Sequence, residues 1–196
     1  YSELMAQSQA LVAEDTLDTV SLRGVGRLMD VGGGAGVFLS HALARYPRLS
    51  TMLLDLPAVT ESAESCLAAA GLADRVTLCP GSFRDAPLPA GADAVSLIRV
   101  LYDHDDATVA DLLAKVHAAL PPGGRLIVSE PMGGGRPQTR AGDLYVAFYT
   151  MAMGTGRVRT PERIAALCQQ AGFTDLRCPP AKRPFVTQVV TGRRAN

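Results

Sequence analysis

Residues 30–36, Asp30-Val31-Gly32-Gly33-Gly34-Ala35-Gly36, fit the pattern D-x-G-x-G-x-G. An apolar run precedes them and a helical pattern follows, so the glycines sit where a strand turns sharply into a helix. Glycine tolerates φ > 0 and lets the backbone approach a ligand closely. The chemistry expected is the cradling of a small molecule at the start of that helix. The dinucleotide fingerprint G-x-G-x-x-G fits poorly. Started at Gly32 it ends on Val37, and started at Gly33 it places Ala35 second and Phe38 last. The next candidate is Asp55, which closes the following apolar run. A carboxylate there can accept both ribose hydroxyls of a nucleoside. A strand-end cap before Leu56-Pro57 is the plainer reading of the same residue.

These residues need elements to hold them. Residues 1–20 carry a helical apolar pattern. Residues 27–31 read as a buried strand and 37–45 as a helix stopped by Pro47. Residues 51–55 form a second strand, and 57–70 a helix closed by Gly71. Strands are expected at 76–79 and 92–100. The helix over 106–120 is the clearest, with Val109, Leu112, Leu113, Val116 and Leu120 on one face. A fifth strand covers 125–130 and an apolar helix 143–153. Thr160 and Pro161 open another helix as N-cap and first residue, and it ends at Ala171-Gly172. Two strands near 175–178 and 185–191 close the chain. Strands alternating with helices predict a doubly wound parallel α/β sheet. The last two strands have no helix between them and are expected to pair antiparallel. Ligands of such sheets bind at the carboxyl ends of the strands.

Composition removes several function classes. The 196 residues carry 19 Lys+Arg against 19 Asp+Glu, and 47% are hydrophobic. A neutral globular chain does not bind nucleic acid or an anionic membrane by bulk attraction. No apolar run approaches the roughly 20 residues that span a bilayer. The longest, 144–153, is about half that. Cys66, Cys79, Cys168 and Cys178 form no CxxC, and no His pair has ligand spacing, so no metal site is expected. The four read as small buried hydrophobes in a reducing cytoplasm. The chain opens at Tyr1 with no signal-peptide pattern, and is expected to be part of a longer protein.

Further motifs extend the pattern: Leu54-Asp55-Leu56-Pro57, Pro80-Gly81-Ser82-Phe83, Asp103 with its neighbours, and the run 119–126, Ala-Leu-Pro-Pro-Gly-Gly-Arg-Leu. With the glycine loop they resemble the plant-type O-methyltransferase family and its bacterial relatives, over almost the whole chain. The resemblance implies a Rossmann-like class I methyltransferase fold, with a mostly parallel seven-stranded sheet and an antiparallel last strand. It implies S-adenosylmethionine as methyl donor, S-adenosylhomocysteine as product and no metal. Residues 1–22 would be a helical segment leading into the catalytic domain at 23–196. The family's N-terminal dimerisation domain would be absent, and the full-length protein a homodimer.

Carried over by position, Asp30 opens the cofactor motif, and Gly32, Gly34 and Gly36 would face the methionine and ribose parts. Asp55 would hold the ribose, Leu56 would pack on the adenine and Phe83 would stack on or flank it. Ser82 stands where the family has an Asp on the adenine amino group. Arg99 lies one residue from a basic cofactor contact. The family's catalytic signature, L-H-D-W-x-D, is here Leu101-Tyr102-Asp103-His104-Asp105-Asp106. Tyr102 replaces the base and His104 the Trp. Glu130 matches one of the two flanking glutamates, and Val158 replaces the other.

The strings RVLYDH, AALPPGGRLIVSEPM and YTMAMGTGR resemble the hydroxyneurosporene-type O-methyltransferases of bacterial carotenoid biosynthesis. The acceptor so implied is a hydrophobic tertiary alcohol, far less acidic than a phenol. The proton then leaves as the C–O bond forms. Tyr102 would orient the hydroxyl, and His104, with Asp103, would receive the proton. Met5, Tyr145, Phe148, Tyr149, Met151 and Met153 would line the acceptor pocket, where Met suits a long flexible polyene. Transient membrane contact would serve to collect such an acceptor. Two alternatives stand beside this reading: a phenol or polyketide O-methyltransferase, and a cofactor-binding domain without catalysis. A nicotinamide oxidoreductase is a weaker third.

Overall fold

The structure is a computed structural model. It describes the backbone of residues 2–133 and 156–195, and side chains from Ser8 onward within those spans. The expected helix at 143–153 lies outside the described residues. The order is α1 (Ser2–Thr19), β1 (Arg27–Val31), α2 (Val37–Arg45), β2 (Ser50–Asp55), α3 (Pro57–Ala69), β3 (Val76–Pro80), β4 (Ala94–Ile98), α4 (Asp106–Ala119), β5 (Arg125–Glu130), α5 (Pro161–Gln170), β6 (Phe173–Arg177) and β7 (Gln188–Arg194). Seven strands form one sheet in the order β3-β2-β1-β4-β5-β7-β6. The first five strands run parallel, and β7 pairs antiparallel with both β5 and β6.

The central strands are apolar on both faces because both faces are covered. Alternation sends Leu28, Leu53, Ala94 and Ile127 to one side, against Leu17 of α1, Phe38 and Leu39 of α2, and Leu67 of α3. Met29, Val31, Val95 and Leu97 go to the other, against Val109, Leu112 and Val116 of α4 and Ile164 and Leu167 of α5. The Thr160 cap expected from sequence forms, and Asp105 supplies one that the sequence reading did not name. Thr160 Oγ1 accepts the Arg163 N–H at 3.2 Å, and Asp105 Oδ1 accepts the Thr108 N–H at 2.8 Å. Gly71 takes φ 68° behind α3.

Three expectations shift. The fourth strand stops at Ile98, because Arg99 takes φ 58° and turns the chain into a 3₁₀ turn over Leu101–Asp103. The closing strands lie at 173–177 and 188–194. Phe173 is buried and anchors β6, whereas Phe185 is exposed in a turn closed by the Val186 N–H on the Arg183 carbonyl. The cysteines are all free, but only Cys168 is buried. Among the described residues no helix is long and apolar enough to cross a membrane.

Candidate functional site

Two cavities open at the carboxyl ends of β1, β2 and β4. One, of about 250 Å³, is lined by Gly32, Gly33, Gly34, Arg99, Tyr102 and Asp103, with Gln9 and Val12 of α1. The other, of about 340 Å³, is lined by Asp55, Leu56, Ser82, Phe83, Arg84 and His104, among others. Gly32, Arg99 and Asp103 belong to both, so the two adjoin there. A parallel sheet creates this crevice because β1 is the switch point, with β2 on one side and β4 on the other.

The glycine loop is held from two directions. Gly32, Gly34 and Gly36 all have positive φ. A Cβ on Gly32 would lie 2.9 Å from Val100 Cγ2, so the loop's approach to the end of β4 requires glycine. Asp55 Oδ2 accepts the Gly34 N–H at 2.8 Å and Oδ1 accepts the Leu56 N–H at 2.7 Å. Each oxygen keeps a lone pair for a ligand. Above Gly34 the space is open: an added Cβ would meet nothing within 4 Å.

Two glycine-loop expectations change. Gly36 lines neither cavity; a Cβ there would lie 3.1 Å from Leu67 Cδ2, so glycine serves the packing of the loop on α3. Asp30 points into the interior, because alternation along β1 aims it at the α2 and α3 side. It is buried, and its Oδ1 accepts the Ser96 hydroxyl at 2.6 Å. Burial pushes its carboxyl up to about 7, opposed by the Ser96 bond and helped by the charge of Asp55. Asp30 supports the loop from beneath.

The turn after β4 carries the remaining candidates. Glu130, at the end of β5, is fully buried and lines neither cavity. Its Oε2 accepts the Leu101 N–H at 2.9 Å and the Tyr102 N–H at 3.2 Å. Among the described residues Oε1 has no hydrogen-bond partner. Burial pushes Glu130 up to about 8, against the pull of Arg159 and the two backbone bonds. Glu130 therefore anchors the backbone of the turn from the interior and reaches neither cavity.

Tyr102 is buried and lines the cavity with the glycine loop, with the Arg99 guanidinium 5.9 Å from its ring centre. His104 lines the other cavity, edge-on to Phe83 with ring centres 5.4 Å apart. Its Nδ1 lies 3.0 Å from Arg84 Nη2. Arginine can only donate, so Nδ1 is the acceptor. Burial lowers the pKa of His104, as do Arg84 and Arg159. With Nδ1 accepting, a neutral ring carries its proton on Nε2. That geometry does not favour His104 as the proton acceptor. Asp103 faces both cavities, and burial raises its pKa while Arg99 lowers it.

Leu56, half-exposed, and Ser82, Phe83 and Arg99 all line the cavities. Sequence reading missed Gly33, Gln9 and Arg159. Gln9 carried no signal, since only the packing of α1 brings it to the cavity. Met5, as a side chain, and Tyr145, Phe148, Tyr149, Met151 and Met153 lie outside the described residues. Among the described residues no cluster of His, Cys, Asp or Glu is placed to hold a metal ion.

A glycine loop after β1, an acid ending β2 and an antiparallel β7 between β5 and β6 define a class I methyltransferase-type domain. A family model for the O-methyltransferase domain matches residues 1–174, and the chain belongs to that family. It is 53% identical to the demethylspheroidene O-methyltransferase of Rhodobacter capsulatus, over 99% of this chain and 48% of that protein. Identity to the demethylspheroidene O-methyltransferase of Cereibacter sphaeroides is 55%, over 99% of this chain and 51% of that protein. A crystal structure of human N-acetylserotonin methyltransferase in complex with SAM superimposes with a TM-score of 0.82. It is 26% identical and covers 97% of this chain and 55% of that one. The chain thus spans about half the length of the relatives it matches.

Proposed function

We propose that this chain is the cofactor-binding and catalytic part of an enzyme that methylates a hydroxyl of a hydrophobic carotenoid, using S-adenosylmethionine. The observation that carries the reading is the pair of adjoining cavities, one on the glycine loop and one on Asp55, with Asp103 facing both. The similarity to demethylspheroidene O-methyltransferases supports the carotenoid acceptor. A tertiary alcohol is the hydroxyl proposed, and a homodimer the full-length assembly. The relevant compartment is the cytoplasm, with transient contact at a membrane to collect the acceptor.

The donor set fits S-adenosylmethionine. The open face over Gly34 admits a ligand against the backbone, and Asp55 offers lone pairs to two ribose hydroxyls. Leu56 and Phe83 supply apolar and aromatic surface beside them for a purine. The bound sulfonium supplies an electrophilic methyl group and leaves as a neutral thioether. The chain's task is to align the acceptor oxygen, exclude water and take one proton. Tyr102 serves as the orienting group. Asp103, raised above an ordinary carboxylate by burial, takes the proton. Replacing Asp55 with alanine is expected to weaken S-adenosylhomocysteine binding about 30-fold, equivalent to about 2 kcal/mol. Calorimetric titration checks this, and unchanged affinity would remove the ribose assignment.

The decisive experiment is transfer of labelled methyl from S-adenosylmethionine by the full-length protein to hydroxylated carotenoids and, separately, phenols. Carotenoid methylation is expected. Methylation of phenols alone overturns the acceptor class. Cofactor binding with no transfer to either overturns the catalytic reading.

A further inference from the structure

Arg159 is 4% exposed, in the stretch that leads into α5. Apart from one bond from Nη1 to the Arg157 carbonyl at 3.2 Å, its guanidinium bonds to one small region. Nη1 donates to the Leu101 carbonyl at 2.8 Å and Nη2 to the His104 carbonyl at 2.8 Å. Nε donates to Asp106 Oδ1 at 2.8 Å, and Nη2 lies 2.7 Å from the same oxygen. The neighbouring Arg157 N–H donates to the Tyr102 carbonyl at 2.8 Å. Opposite them, Glu130 Oε2 takes the N–H groups of Leu101 and Tyr102. The turn is therefore gripped through its donors by a carboxyl and through its acceptors by a guanidinium. A short 3₁₀ turn has few bonds of its own, so these outside partners set its geometry.

We infer that Arg159 is a positioning residue for methyl transfer: it clamps the backbone of 101–106 so that Tyr102, Asp103 and His104 meet the two cavities. The inference rests on the methyltransferase reading for its consequence, though the clamp itself does not. Only arginine has the planar fork that reaches two carbonyls and a carboxylate at once. Lysine keeps the charge but not the fork. Outright removal would leave buried groups unpaired and could unfold the protein. The informative variant is Arg159→Lys.

The test uses the full-length protein and two readouts. Steady-state kinetics of Arg159→Lys should show kcat lowered at least about tenfold, with KM for S-adenosylmethionine within about threefold of wild type. Amide hydrogen exchange at 101–106 should speed up about tenfold, while amides of β2 and α3 stay unchanged. Asp106→Asn, which loosens the clamp from its half-exposed end, should move both readouts in the same direction and less. It decides the matter if Arg159→Lys does not fold. Unchanged kcat, or a loss confined to KM, overturns the positioning role. If wild-type enzyme transfers no methyl to any acceptor, the functional reading fails by itself. Exchange then decides the clamp: faster exchange at 101–106 upholds it and unchanged exchange refutes it.

Discussion

Asp103→Asn is expected to slow methyl transfer by about 10²–10⁴-fold, the usual contribution of a positioned proton acceptor, while S-adenosylhomocysteine still binds. Asparagine keeps the size and the hydrogen-bonding shape and removes the basic oxygen. An alcohol is a very weak acid until the C–O bond forms, and then its oxygen becomes strongly acidic. A carboxylate whose pKa burial has raised is adequate for a proton released that late. His104 is the weaker candidate, because Arg84 engages its Nδ1 and burial lowers its pKa. The control is His104→Ala, which is expected to lower kcat less than Asp103→Asn. The pH profile adds a second check. Wild-type kcat should rise through the ionisation of Asp103, above the ordinary 3.8, and that limb should vanish in Asp103→Asn. Full activity of the asparagine variant would exclude Asp103 as the acceptor.

Glu130→Gln tests the buried anchor through stability. Burial raises the folded pKa from the ordinary 4.5 to about 8. Between those values the folded chain holds a proton that the unfolded chain has lost. Stability contributed by the neutral carboxyl is complete below about 4.5 and is lost as pH rises towards 8, by roughly 1.4 kcal/mol per pH unit at most. Asp30 adds the same sign between 3.8 and about 7. Glutamine cannot ionise, and its carbonyl can accept the Leu101 and Tyr102 N–H groups. Glu130→Gln should therefore lose less stability than wild type between pH 5 and 8, by on the order of a few kcal/mol. Denaturant unfolding at the two pH values measures this. Parallel profiles would show that Glu130 does not ionise within that range.

The alternation of strands and helices was legible because the periodicities are strong and the breakers are well placed. Gly71, Thr160 and Pro161 act locally, so their neighbours in sequence suffice to predict them. Asp55 was legible for the same reason: a strand end next to a Leu-Pro helix start puts a carboxylate at the mouth of a parallel sheet. The strand ends near Arg99 and Phe185 were not. Arg99 is held by bonds to Ser8 and Ser129, and the turn before Phe185 is tied to α1 by Arg183 on Asp15; those partners are distant in sequence.

Residue type and spacing alone determined the doubly wound sheet, the glycine loop and the acid that faces it, because each is a property of one short segment. The tertiary structure decided which side of the crevice each polar group serves. It turned Asp30 inward, assigned Glu130 to the backbone, split Tyr102 from His104 between two cavities and brought Arg159 onto the turn before α4. Those outcomes depend on which neighbour each strand face meets, on burial and on bonds between residues 28 to 58 positions apart, none of which local sequence encodes.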